Sequence, residues 1–101
     1  MIAIVEYLTN IKMAVIVTYD VPSKHTELKD NLKEQGYLDQ ISGNTCKVIY
    51  FPNTTLYHET KTASEALRDV QAVCRDLEIK LERCVSTLWS NYSAICGEDF
   101  K

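Results

Sequence analysis

A chain of 101 residues, 46% hydrophobic and 25% charged, has the make-up of a single globular domain and leaves no room for a second. Its formal net charge of −3 argues against tight, non-specific binding to nucleic acid, which rests on neutralising many phosphates. The opening MIAIVEYLTNIK carries an apolar run too short for a signal-peptide core or a membrane span, so the expected setting is cytoplasmic, with no membrane contact.

Met13 opens directly into strand-like sequence. Residues 1–12 therefore read as an N-terminal extension, either an extra edge strand or a disordered lead, and residues 13–101 as the domain. Ala14 to Tyr19 is a nearly unbroken apolar run, the pattern of a central strand. Pro22 ends it, because proline has no N–H to give to a ladder. Ser23 stands where a helix N-cap belongs, and a helix follows to about Gln35 with Leu28 and Leu32 on one face. Gly36 supplies the φ > 0 residue that stops it.

YLDQIS and CKVIYF are both strand-like and are separated by the turn signal SGN. Pro52-Asn53 then turns the chain, and TTLYHE is expected to return as the hairpin partner of CKVIYF. Thr62 and Glu65 have the spacing of a capping box at the head of a second helix. Its apolar stripe runs through Ala63, Ala66, Leu67, Val70, Val73, Cys74 and Leu77. Arg83 to Ser90 reads as the last strand, followed by a polar tail.

This order predicts an α+β, ferredoxin-like βαββαβ fold: one four-stranded antiparallel sheet with two helices on one face. Val48, Tyr50, Leu56 and Trp89 supply apolar surface for the other face, which predicts a homodimer. The four cysteines, Cys46, Cys74, Cys84 and Cys96, show no C-x-x-C pair, so they are expected as reduced thiols rather than zinc ligands, with Cys74 packed on a helix face.

Asp20 ends the first strand, and two readings of it stay open. It is a turn or cap residue at a helix N-terminus, or it is a metal ligand on the rim of the sheet. In the second reading Mg²⁺ or Mn²⁺ would be held by Asp20, with Ser23 and His25 as helpers in acid–base chemistry and Lys24 as a phosphate contact. The turn Asn53, Thr54 and Thr55 offers donors and hydroxyls to a substrate backbone, though it also suits an ordinary turn. His58, beside Glu59 with no partner visible in sequence, ranks below His25. No Gly-rich phosphate loop, nucleophile elbow or H-x-x-x-H pair is present.

With these features in place, VIVTYD at the end of the first strand resembles the small CRISPR-associated endoribonucleases (the Cas-two fold). YDVPSKH, the GY after the first helix, FPNTTLYH and TASEAL look closer still to the GhoS-like endoribonuclease antitoxins. The resemblance implies metal-dependent cleavage of single-stranded RNA with Asp20 as the catalytic residue. A non-catalytic module that binds a protein partner through its open sheet face or edge strand, or a small-ligand regulatory domain, is the alternative expectation.

Overall fold

The apolar run that begins at Met13 forms β1 (Met13–Asp20), the middle strand of a three-stranded antiparallel sheet. The computed structural model describes residues 13–90 and 92–99, so the expected extension 1–12 lies outside the described residues. β1 pairs on one side with β4 (Thr55–Lys61) and on the other with β5 (Arg83–Leu88). Alternation along β1 sends Val15, Val17 and Tyr19 into the core and leaves Ile16, Thr18 and Asp20 on the opposite face.

Two helices cover the core face. α1 (His25–Glu34) buries Leu28 and Leu32, and α2 (Ala63–Asp76) buries Ala66, Val70, Val73 and Cys74, as its apolar stripe predicts. Thr62 and Glu65 form the capping box in full. The Thr62 hydroxyl accepts from the Glu65 amide at 3.0 Å, and the Glu65 carboxylate accepts from the Thr62 amide at 2.9 Å. Since Thr62 is itself buried, Thr62→Ala is expected to lower the urea-unfolding free energy by about 1 kcal/mol, with Thr62→Ser recovering most of it. An unchanged midpoint for the alanine variant would mean that water replaces the cap.

Tyr37, with Gly36 at φ 96° just before it, turns the chain back under α2. Its hydroxyl donates to Asp69 at 2.8 Å, and the same carboxylate oxygen pairs with Lys61, so α2 is pinned to the end of β4. The His58 ring packs edge-on against Tyr37 and over Gly36, where an added Cβ would lie 2.9 Å from Nε2. Nε2 hydrogen-bonds the Gln35 carbonyl, and Nδ1 accepts from the Thr60 amide.

The single four-stranded sheet does not form. β2 (Gln40–Ser42) and β3 (Val48–Tyr50) make a separate two-stranded antiparallel sheet, so the element order is βαβββαβ. The SGN signal closes this local hairpin, with the Gly43 amide on the Lys47 carbonyl at 3.3 Å. CKVIYF therefore pairs backwards onto Gln40–Ser42 and not forwards onto β4. Among the described residues, an isolated bridge, Leu38 to Tyr57, is all that occupies the place of a fourth strand beside β4.

The cysteine expectation is also corrected. Cys46 and Cys96 form a disulfide that ties the β2–β3 loop to the C-terminal segment, while Cys74 and Cys84 remain free. Leu56, assigned from sequence to a dimer surface, is fully buried under the helices. Among the described residues, no helix is long and apolar enough to cross a membrane.

Candidate functional site

β1 carries its last residue, Asp20, out of the core and onto the sheet rim, where the side chain is half exposed. Antiparallel register places Arg83, the first residue of β5, directly across from it. The Arg83 Nε donates to Asp20 Oδ2 at 2.6 Å, and the Asp20 main-chain carbonyl accepts from the Glu82 amide at 2.9 Å. That hydrogen bond, with the carboxylate charge behind it, holds the Arg83 guanidinium protonated still more firmly than usual. Asp20 is thus an ion-pair residue and not a helix cap.

The α1 cap is Lys24, which adopts the left-handed conformation at φ 56° with no side-chain oxygen on the first amides. Ser23, expected as the N-cap, stays exposed in the bend before it. The left-handed turn sends the Lys24 ammonium to the Leu77 carbonyl at 2.8 Å, where a cation suits the C-terminus of α2. At the next residue, the His25 Nε2 donates to the Val21 carbonyl at 2.9 Å. A proton on Nε2 leaves Nδ1 as the basic nitrogen of the neutral ring. The carbonyl that it bonds belongs to Val21, the residue after Asp20.

His25 also opens a shallow cleft of about 260 Å³ with Thr26, Lys29, Asp30 and Asn53. The Asn53 side-chain oxygen accepts from the Lys29 ammonium at 3.1 Å, which carries the 51–54 turn to the flank of α1. Thr54, at φ 63°, turns its hydroxyl back to the Asn53 carbonyl. Thr55 is buried and reaches Thr18 across the strands at 3.4 Å. Of the residues named from sequence, the fold gathers Asp20, His25 and Asn53 near one end of the sheet. It commits Lys24 to α2 and turns Thr54 and Thr55 elsewhere.

The chain matches no family model, no curated protein and no solved structure. Its chemistry rests on the residues themselves.

Mg²⁺ and Mn²⁺ prefer oxygen donors, and Mg²⁺ is commonly held through one or two carboxylates with water completing the shell. Asp20 supplies one carboxylate with one oxygen on Arg83, and among the described residues no three His, Cys, Asp or Glu side chains gather. The one oxygen donor at the strand end is thus a carboxylate already paired with a cation. Arg83 is the member that sequence reading missed. Its only signal is that the last strand begins on a cation, and the register that sets it opposite Asp20 is a tertiary property.

Proposed function

We propose that this protein is an RNA-directed, metal-dependent endoribonuclease that works as a homodimer. What supports the reading is one observation: the Asp20–Arg83 ion pair stands at the exposed end of β1, and the His25 imidazole is held on the carbonyl of the next residue, Val21. Arg83 has the planar donor fork that suits a phosphodiester, and Asp20 aligns that fork through Nε. His25 is the group that takes or returns a proton, with its ring fixed by the Val21 carbonyl. A divalent ion on Asp20 would polarise the phosphoryl group and activate water. Lys29 and Asn53 line the cleft along which a single strand would continue.

The test is incubation of single-stranded RNA with the protein in Mg²⁺ or Mn²⁺, beside Asp20→Ala and a chelator control. Cleavage that needs the ion and Asp20 is expected. Cleavage surviving Asp20→Ala would remove the metal–carboxylate role. No cleavage in either ion would leave the second reading, a non-catalytic interaction or regulatory module, which the apolar trough on the opposite face of the sheet from the helices favours.

A further inference from the structure

Cys46 lies in the β2–β3 loop and Cys96 in the C-terminal segment, 50 residues away in sequence. Beside their bond, the Tyr50 amide donates to the Cys96 carbonyl at 3.0 Å. Gly97 packs on Tyr50, where an added Cβ would make ordinary contact with its carbonyl oxygen at 3.5 Å. Residues 93–98 are thereby held as a wall beside the open sheet face. Between this wall, the hairpin and the sheet is a trough of about 620 Å³, within the size range of small-molecule sites.

The chemistry of the lining is specific. Ile16 and Thr18 form the floor, and Phe51 and Trp89 meet edge to face at 5.6 Å. Ile95 lies on the wall, and Glu98 is the one charged side chain among the described residues that line the trough. An aromatic surface beside a lone carboxylate selects a flat apolar body with a positive charge at one end.

We propose that the trough is a binding site for a small aromatic cation and that the Cys46–Cys96 disulfide, by holding the outer wall, determines whether the site exists. A dithiol reductant would open it. Two electrons and two protons pass to the Cys46 and Cys96 sulfurs, the S–S bond breaks to two thiols, and the reductant leaves as its own disulfide. Among the described residues, the contacts that remain on the wall include the Tyr50–Cys96 backbone bond, the packing of Gly97 on Tyr50 and the stacking of Tyr92 on Trp89 at 4.0 Å. Both bonded cysteines are half-buried, within reach of a reductant. Cys74 lies on the buried face of α2 and Cys84 packs against the same core from β5; burial raises both thiols, Cys84 to about 11, so neither competes as a thiolate. The site is separate from the strand end and holds whether or not the chain cleaves RNA.

Trp89 is the only tryptophan, so its indole N–H gives a single NMR signal inside the trough. In the oxidised protein, 1-naphthylmethylamine is expected to shift that signal saturably, with the anionic 1-naphthaleneacetate binding at least about tenfold more weakly. Dithiothreitol should weaken binding of the amine by about tenfold or more. The double variant Cys46→Ser, Cys96→Ser should behave as the reduced protein and ignore the reductant, and Glu98→Gln should level the two probes. Equal affinity for both probes, or no saturable shift with either, would overturn the ligand class. Amine binding unaffected by dithiothreitol would overturn the gate, as would loss of the Leu28 and Val70 core signals on reduction, since the change would then be global unfolding.

Discussion

Raising the pH from about 8 to about 12 is expected to remove about 2 kcal/mol of folding free energy through Tyr19 alone. Its phenol is 3% exposed, and burial, assisted by the neighbouring Cys74 and Cys84, pushes its pKa up to about 12 from an ordinary value of 10. Below pH 10 both the folded and unfolded chains keep the proton, and the full stability is present. Above it the unfolded chain ionises first, binds fewer protons than the folded one, and stability falls until the folded pKa is passed. Tyr37 works in the same direction, because burial and its bond to the Asp69 carboxylate both favour the neutral phenol. Urea midpoints measured across this range should fall steeply. Tyr19→Phe keeps the ring and should flatten part of the slope. A midpoint that stays level to about pH 11.5 would show that the Tyr19 hydroxyl reaches water in the folded state.

Asp20→Ala is expected to lower metal-dependent RNA cleavage at least about a hundredfold, the lower end of what a positioned catalytic group contributes. The change should leave the urea midpoint close to wild type. Asp20 and Arg83 are both exposed, and ion pairs in that setting contribute little to stability. This separates a chemical role from a structural one, which a buried residue would not allow. Arg83→Lys keeps the charge but loses the planar fork, so it should impair cleavage while leaving thermal unfolding unaffected. Equal cleavage by wild type and Arg83→Lys would mean that the arginine only accompanies Asp20 and does not meet the phosphate.

The second helix was fully legible from sequence because its information is local. Thr62 and Glu65 cap each other three residues apart, and Ala66, Val70, Val73 and Cys74 recur at the helical period. The β1 core was legible for the same reason. The sheet was not, because CKVIYF carries equal apolar weight toward either neighbour. Loop length does not decide between them either, since residues 43–47 join β2 to β3 and residues 51–54 join β3 to β4. The disulfide left no local trace either, since its cysteines are 50 residues apart and each stands alone. At the strand end, sequence singled out Asp20 and His25 from residue type. It misplaced the cap at Ser23, because a left-handed turn at Lys24 exchanged the expected hydroxyl cap for a tie to the far helix.

The lone bridge from Leu38 to Tyr57 bears on how this protein keeps itself apart from its neighbours in concentrated solution. Past Tyr57, the outer side of β4 has no ladder partner among the described residues. Bare strand borders of this kind recruit foreign strands and seed precipitation. Here the border ends in Glu59 and Lys61, whose opposite charges, with Lys61 already bound to Asp69, make an apolar intruder costly to seat. The strand that failed to form is replaced by a charged fence.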